Sequence, residues 1–264
     1  MNFVQPSIDP VILSYGIFEL RWYSLAYIIG FIIGSILLKR FNKNYGSLLS
    51  NKEIDNFLIW AVIGVIFGGR IGYVLFYQPN LFINDPTYIF KIWNGGMSFH
   101  GGLIGIILSI YIYSKKNNLT FFYLSDLVSL CAPIGLFFGR LANFINTELI
   151  GRPTDFIITI IYPSIDNQPR HPSQIYEAIF EGLILFIILL LLFNKNKNKK
   201  NYGLISGMFL IYYSIFRFCI EFLREPDHHI GFIFYYFSLG QILSIPIFIF
   251  GIIIINYNGF IKKN

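Results

Sequence analysis

Seven apolar stretches dominate this chain of 264 residues. Most of them approach the roughly 20 residues that a helix needs to cross the hydrocarbon core of a bilayer. Only 13% of all residues are charged, whereas soluble domains carry about 25%. We therefore expect an all-α, polytopic integral membrane protein with about seven transmembrane helices; six is the alternative, because the third stretch is short. The stretches cover residues 20–38, 54–77, 97–113, 121–139, 174–193, 203–223 and 237–256.

Lysine positions predict how these helices are oriented. Eleven of the twelve lysines fall in alternate connections or in the carboxyl-terminal tail, and only Lys91 falls on the other side. Because lysine-rich connections stay inside, we expect the amino terminus outside and the carboxyl terminus inside. We also expect one membrane domain, 1–264, in which residues 140–173 form a small external cap between the fourth and fifth spans. The eleven are Lys39, Lys43, Lys52, Lys115, Lys116, Lys195, Lys197, Lys199, Lys200, Lys262 and Lys263.

Polar side chains concentrate at the predicted outer ends of six of the seven helices. Arg70, for example, lies about 16 residues into the second stretch, or roughly 24 Å from its inner end. Charge at such depth is costly unless it is paired, solvated or bound to something charged. The concentration therefore predicts a site for an anionic, amphiphilic molecule. The group comprises Arg21, Trp22, Tyr23, Arg70, His100, Arg140, Asn143, His171, Gln174, Glu177, Arg217, Glu221 and Arg224.

Several of these residues also have a purely structural interpretation. Arg70 could pair with a carboxylate or cap backbone carbonyls. Arg217 and Glu221 are four residues apart and could satisfy each other on one helix. His100 could be structural at the membrane edge, and Tyr23 is typical of an interfacial aromatic belt. Their shared depth favours a common site.

The most distinctive segment is GRLANFINTE at residues 139–148, at the outer end of the fourth stretch. Arginine binds phosphate bidentately and stays protonated in a low-dielectric pocket. Two or three arginines could neutralise a phosphate diester and the charge that grows on a phosphate leaving group. A nearby histidine or tyrosine could accept a proton from an incoming nucleophile. We expect no metal, because the four histidines have no carboxylate or cysteine set at ligand spacing.

Glycines recur four residues apart in the first four stretches. This spacing lets helix backbones approach closely, so we expect a compact bundle and not a wide pore. The sets are Gly30 and Gly34, Gly64, Gly68 and Gly72, Gly101 and Gly105, and Gly135 and Gly139.

Seven segments, taken in order, resemble the prolipoprotein diacylglyceryl transferases of bacteria over nearly the whole chain. One departure is Ala142, where the family usually has glycine; alanine is the smallest alternative, so we expect close packing to survive. The segments are RWY (21–23), GGRIGY (68–73), GGMSFHGG (95–102), GRLANFINTELIG (139–151), RHPSQIYE (170–177), RFCIEFLREPD (217–227) and GQILSIP (240–246).

The resemblance implies a reaction. The diacylglyceryl group of phosphatidylglycerol passes to the lipobox cysteine thiol of a preprolipoprotein, and glycerol phosphate leaves. This is the first step of lipoprotein maturation, and it needs no metal or other cofactor. The implied partners are phosphatidylglycerol, the preprolipoprotein signal peptide and the bilayer, with no nucleic acid. The implied location is the bacterial cytoplasmic (inner) membrane, with the active site toward the outer leaflet.

The resemblance also suggests roles for individual residues. His100 is the first candidate for the base that generates the thiolate, with Tyr23 as an accessory and His171 as the alternative base. Arg140 and Arg217 are expected to bind the lipid phosphate and to act in catalysis. The remaining residues expected at the phosphatidylglycerol site are Asn143, Asn146, Glu148, Gly151, Arg70 and Glu221, together with His171.

Other classes of function explain less of the sequence. A transporter would need a polar pathway to the inside, but the inner halves of the spans are almost wholly apolar apart from Asp126, and no convincing inverted repeat is present. A scaffolding protein would explain the glycines and aromatic residues but not the arginines. Another enzyme acting on phospholipid headgroups is the closest rival, and composition alone does not exclude it.

Overall fold

Long helices form at all seven predicted stretches in a computed structural model that describes residues 2–15, 18–199, 201–226, 231–233 and 236–261. A π-helix, Ala178–Ile184, joins α6 to α7, so that Ser173–Lys199 is one continuous helical span. The α-helices are α1 (Trp22–Asn44), α2 (Asn51–Tyr77), α3 (Pro79–Asn84), α4 (Phe99–Lys116), α5 (Phe121–Ile145), α6 (Ser173–Glu177), α7 (Leu185–Asn196), α8 (Leu204–Ile220) and α9 (Leu239–Ile261).

Five of the described helices are long and apolar enough to cross a membrane, and Leu204–Ile220 is a shorter apolar helix. The expectation of a mostly helical, integral membrane protein is thereby confirmed, while the count of seven spans stays a prediction. The five are Trp22–Asn44, Asn51–Tyr77, Phe121–Ile145, Ser173–Lys199 and Leu239–Tyr257.

Short strands occupy the connections. In one sheet, β4 (Thr159–Ile161) lies between β1 (Asn2–Val4), its parallel partner, and β5 (Pro169–Arg170), its antiparallel partner. Two antiparallel pairs are separate from it. They are β2 (Val11–Tyr15) with β3 (Phe18–Arg21) and β6 (Phe232–Ile233) with β7 (Phe237–Ser238). Within the segment predicted as an external cap, residues 140–173, β4 and β5 are the regular strands that the structure describes.

Helix α1 extends beyond its predicted end at residue 38. It continues through Lys39 and Arg40 to Asn44, because lysine and arginine are good helix formers. The chain turns only after that point, at Gly46, whose φ is +108°. The start of α2 is fixed by a capping box in which Ser50 and Glu53 bond reciprocally.

The chain divides into two compact units, residues 1–38 with 128–264 and residues 39–127. In the second unit, α2 and α4 cross at their glycines as the spacing predicts. A Cβ at Gly105 would lie 1.9 Å from the carbonyl oxygen of Gly64, and one at Gly68 would lie 2.3 Å from that of Gly101. Only glycine allows backbones this close.

The first unit contains the strands and α6 to α9. Helices α8 and α9 also meet at glycines, since a Cβ at Gly207 would lie 3.0 Å from the carbonyl oxygen of Gly251. Gly135 and Gly139 differ, because a Cβ at either position would meet open space; the expectation that glycine there serves a close approach is wrong. Ala142 is buried.

Some residues that the sequence analysis covers lie outside the described parts of the chain. They are Lys200, Asp227, His228, His229, Lys262 and Lys263.

Candidate active site

Three arginines and three glutamates of the first unit form one buried cluster. We call it the charge cluster; its members are Arg140, Glu177, Glu181, Arg217, Glu221 and Arg224. The side chains of Glu177 and Glu181 are 0% exposed, and that of Arg140 is 15% exposed. A cation buried this deeply in a membrane protein needs anionic partners or a bound anion.

Arg140, near the carboxyl end of α5, uses two nitrogens on two carboxylates. Its Nη1 lies 3.2 Å from Oε2 of Glu177, and its Nη2 lies 3.0 Å from Oε2 of Glu181. The Nε of Arg140 is buried and has no hydrogen-bond partner in the structure. Buried donors are rarely left unpaired, so this N–H is available to a ligand.

Arg217, in the last turn of α8, is held from two directions. Its Nη1 donates to Oε1 of Glu177 and lies 3.7 Å from Oε1 of Glu181. Its Nη2 lies 2.7 Å from Oε2 of Glu221, one turn further along the chain. The predicted pair of Arg217 and Glu221 therefore exists, but it is part of a larger network.

The geometry of the cluster depends on the π-helix that follows α6. A π-helix is wider than an α-helix and occurs often at functional sites. Its Gly182 packs on α5, where a Cβ would lie 2.9 Å from Cα of Phe137. This contact lies one turn before Arg140, so the absence of a side chain at Gly182 brings the two carboxylates to that arginine.

A second glycine supports the cluster from α9. A Cβ at Gly240 would lie 2.7 Å from the carboxyl carbon of Glu221. The carboxylate of Glu221 therefore occupies the space that any other residue at position 240 would fill.

An amide network lies one turn beyond Arg140 on α5. The Nδ2 of Asn143 donates to the hydroxyl of Tyr23, at 2.8 Å, and to Oε2 of Glu148, at 2.9 Å. The Nδ2 of Asn146 lies 3.5 Å from Oε1 of Glu148. The turn after α5 closes on itself, since the backbone N–H of Glu148 donates to the carbonyl of Asn143 at 2.9 Å. Tyr23, Asn143, Asn146 and Glu148 are thus brought together, with the Glu148 side chain at the exposed edge.

The following segment ties this turn to the end of α8. Gly151 forms a β-bridge with Arg224, and a Cβ at Gly151 would lie 2.1 Å from the carbonyl oxygen of His171. Arg152 donates from Nε to the carbonyl of Arg224, at 2.9 Å. Arg170 donates to the carbonyl of Gly151, at 2.9 Å, and pairs with two carboxylates. Gly151 is therefore a packing position between backbones.

His171 is half-buried between aromatic rings. Its ring centroid lies 5.9 Å from that of Phe156 and 6.1 Å from that of Tyr176. Burial lowers the pKa of His171 below its usual value, because an apolar environment disfavours the charged imidazolium. The imidazole is therefore neutral at neutral pH, and its buried Nδ1 has no hydrogen-bond partner in the structure.

His100 lies in the second unit, in the first turn of α4. Ser98 caps this helix by accepting a hydrogen bond from the N–H of Gly101, at 3.3 Å. The imidazole of His100 contacts the ring of Phe99, with 5.6 Å between centroids, and the residue is exposed.

Arg70 also lies in the second unit, and backbone carbonyls surround it. Its five N–H donors face five carbonyl oxygens, and its side chain packs against the rings of Tyr73 and Tyr88. No carboxylate in the described part of the chain lies within 4 Å of it. Arg70 therefore matches the carbonyl-capping alternative, with every donor used inside its own unit. The acceptors are the carbonyls of Tyr88, Ile89, Lys91, Gly95 and Gly96.

Sequence reasoning paired Glu221 with Arg217 and placed Glu177 among the polar residues, but it did not pair Glu177 or Glu181 with Arg140. Glu177 and Glu181 are four residues apart, which places both on one helix face, and this spacing was the available signal. Glu221 lies four residues after Arg217, and Arg224 lies three residues after Glu221. The spacing alone does not say which helix faces which. Asp126, in the second unit, instead accepts a hydrogen bond from the hydroxyl of Tyr45 at 2.7 Å.

Comparison with known proteins covers most of the chain. Residues 10–257 match the family model described as prolipoprotein diacylglyceryl transferase. A phosphatidylglycerol–prolipoprotein diacylglyceryl transferase of Rickettsia bellii is 47% identical over 250 residues, which cover 95% of each chain. The protein of the same name from Rickettsia typhi is 47% identical over 248 residues, which cover 94% of this chain and 96% of that protein. The one from Rickettsia felis is 46% identical over 246 residues, which cover 93% of this chain and 95% of that protein. The chain therefore belongs to the prolipoprotein diacylglyceryl transferase family.

Proposed function

We propose that this chain transfers the diacylglyceryl group of phosphatidylglycerol to the cysteine thiol of a preprolipoprotein lipobox. In this reaction a sulfur–carbon bond forms at the glyceryl carbon and the carbon–oxygen bond to phosphate breaks. The electron pair stays on the phosphate oxygen, so glycerol phosphate leaves, and the thiol proton passes to a base. Membership of the family and the names of the relatives support this reaction.

The observation that carries the proposal is the unpartnered Nε of Arg140 beside the carboxylate-held Arg217. Arg140 keeps a free N–H while its other nitrogens are fixed, so it can add a phosphate oxygen without losing its position. Donors that are fixed in advance stabilise the charge that develops on a leaving phosphate. Arg217 supplies the second guanidinium, and Glu221 orients it.

The amide network would bind the glycerol headgroup. Both amide hydrogens of Asn143 are used, on Tyr23 and Glu148, so Asn143 fixes these two side chains. Asn146 offers a buried Oδ1 that has no hydrogen-bond partner in the structure, and Glu148 supplies an exposed carboxylate; both can accept hydrogen bonds from glycerol hydroxyls. Tyr23 is fixed by Asn143 and would act as an accessory to the base. Arg70 contributes indirectly, by holding the backbone of residues 88–96.

Two histidines remain candidates for the base. A free cysteine thiol has a pKa of about 8.5, so thiolate must be generated for attack. His100 is exposed at the start of α4 and is the first candidate. His171 is neutral at neutral pH because burial lowers its pKa, and it can accept a proton.

The proposal includes a topology and a location. Seven spans would cross the bacterial cytoplasmic membrane as one membrane domain, with the amino terminus outside and the carboxyl terminus inside. The segment 140–173 would form an external cap, and the site would face the outer leaflet, where an exported lipobox emerges. The lysine distribution supports this orientation. The transfer itself uses no metal or other cofactor.

Mass spectrometry of a lipobox peptide incubated with the purified protein and phosphatidylglycerol tests the reaction. We expect a mass gain equal to a diacylglyceryl group on the cysteine, and none on a peptide with serine in its place. Absence of the gain with folded protein and lipid present would favour a different enzyme of phospholipid headgroups.

Separate variants distinguish the two histidines. If His100 is the base, the rate falls by roughly 100-fold in His100→Ala, in line with the loss of general base catalysis, while His171→Ala retains most activity. The reverse result would assign the base to His171. Full activity in both variants would remove histidine from the proton transfer.

A further inference from the structure

Glu177 holds a central position in the charge cluster that neither the family resemblance nor the comparisons assign to it. Its carboxylate contacts all three arginines: Oε2 lies 3.2 Å from Nη1 of Arg140, and Oε1 accepts from Arg217 and lies 3.7 Å from Nη1 of Arg224. Glu181 reaches two of these arginines and Glu221 reaches two. Glu177 is also completely buried. Among the three carboxylates of the charge cluster, Glu177 therefore contacts the largest number of arginines.

The cluster as a whole carries three positive and three negative formal charges, in side chains that are at most 15% exposed. A site evolved only to bind an anion tightly would leave its arginines unpaired. Here each arginine is already matched by a carboxylate, which weakens its attraction for any further anion. The arrangement therefore limits anion affinity while it keeps the guanidinium groups in place.

The proposed reaction changes the charge of the phosphate in the site. A phosphate diester such as phosphatidylglycerol carries one negative charge. A phosphate monoester such as glycerol phosphate carries about 1.5 to 2 at neutral pH, because its second pKa is near 6. Any excess positive charge in the site would thus bind the product more strongly than the substrate, and product release would become slow.

We infer that Glu177 is a counter-ion whose charge keeps the cluster neutral, so that the more highly charged product, glycerol phosphate, leaves the arginines after transfer. Glu177 is a positioning residue in this account, since it acts through Arg140 and Arg217 and touches no reacting atom. The inference rests on the proposed function, because it requires that phosphate binds to these two arginines.

The test compares Glu177→Gln with the unaltered protein in steady-state transfer assays, with glycerol phosphate added as an inhibitor. Glutamine has the same shape but no charge, so the cluster gains one net positive charge. We expect the inhibition constant for glycerol phosphate to fall by about tenfold and KM for phosphatidylglycerol to fall by about threefold, because the Coulomb interaction scales with ligand charge. The value of kcat falls at the same time, because the slower release of product then limits turnover in the variant.

A lower inhibition constant together with lower KM and kcat distinguishes a counter-ion from a residue that only supports the fold. Damage to the fold would weaken binding of both phosphates and lower kcat and the amount of folded protein together. The matched control is Glu19→Gln. It removes the charge of a carboxylate that lies in the same unit and pairs with Arg21 on the exposed surface. We expect its KM, kcat and inhibition constant to equal those of the unaltered protein. An unchanged or raised inhibition constant in folded Glu177→Gln overturns the inference.

A second variant keeps the test decisive if Glu177→Gln does not fold. Glu181→Gln also adds one positive charge and leaves Glu177 bound to all three arginines. The inhibition constant for glycerol phosphate should again fall, by a smaller factor, and a rise or no change overturns the inference. Failure of the proposed function would look different: the unaltered protein would then transfer no diacylglyceryl group at all.

Discussion

Arg70 and Arg140 are buried arginines of two different kinds, one in each compact unit. Arg70, in the second unit, is saturated by backbone carbonyls, which cannot leave without unfolding the segment that carries them. Arg140, in the first unit, is held by side-chain carboxylates and keeps one buried N–H without a partner. Burial of an arginine therefore does not by itself mark a binding site. What marks the site is a fixed guanidinium with a donor left over.

The contrast between Arg70 and Arg140 predicts that replacement by lysine has different consequences at the two positions. Replacing Arg140 by lysine removes the planar fork that serves Glu177, Glu181 and a phosphate oxygen at once. We expect the rate of diacylglyceryl transfer to fall by roughly 100- to 1,000-fold, the range seen when one fixed donor to a developing oxyanion is lost. The measurement is the mass-spectrometric assay with a lipobox peptide. Arg40→Lys, at an exposed position of α1, serves as the control, and full activity of Arg140→Lys would contradict a role for the planar guanidinium.

Arg70→Lys should affect stability and not lipid binding. Lysine has three donors for the five carbonyls that Arg70 satisfies, so buried acceptors lose partners. We expect the free energy of unfolding in detergent to fall by about 2 kcal/mol, with KM for phosphatidylglycerol unchanged in the folded fraction. A raised KM without loss of stability would show that Arg70 contacts the lipid and would remove the distinction between the two arginines.

Gly240→Ala tests whether the carboxylates of the cluster must stay in place. The added methyl group would collide with the carboxylate of Glu221 and push it from Arg217. We expect the rate of transfer to fall by about tenfold, because one charge-assisted hydrogen bond of roughly 1.5 kcal/mol is lost. Gly135→Ala is the matched control, because a Cβ at Gly135 meets open space. Equal rates for the two variants would show that Glu221 can move without consequence.

Arg170 is an intermediate case, with one carbonyl and two carboxylates as partners. Its hydrogen bonds hold the pKa of Asp166 below the usual value of about 3.8. A carboxylate with a lowered pKa stabilises the folded state above its unfolded pKa, and this contribution is lost as the pH falls through the folded pKa. Thermal unfolding in detergent should therefore lose slightly more stability between pH 5 and pH 3 in the unaltered protein than in Asp166→Asn. Identical pH profiles would mean that the pair contributes nothing.

The sequence predicted the helices well because their signal is strong. A run of about 20 apolar residues has few alternatives to a helix, and glycines four apart in α2 and α4 marked a crossing that the structure confirms. Helix α1 continues past its predicted end at residue 38, to Asn44, although the charge of the chain rises there. Charge ends the contact with lipid, but it does not stop the backbone hydrogen bonds.

The charge cluster was harder to predict, because the pairing of each arginine with a particular carboxylate depends on how the helices pack against one another. The shared depth of Arg140 and Arg217 was readable from the sequence, and both belong to one cluster. Their bridging through Glu177 was not readable, because helical spacing gives the face of a residue and not the neighbouring helix. Nor could the sequence indicate the partners of Arg70, since every residue has a backbone carbonyl and none is marked as the acceptor.

The order of charges in the cluster has a consequence for how the protein is made. Along the chain the members follow as Arg140, Glu177, Glu181, Arg217, Glu221 and Arg224. The running sum of their charges is +1, 0, −1, 0, −1 and 0 as each is synthesised. A nascent chain entering the bilayer helix by helix therefore never has more than one unmatched charge of this set to accommodate. Insertion of a strongly charged site into lipid is then no harder, at any stage, than insertion of a single ionised side chain.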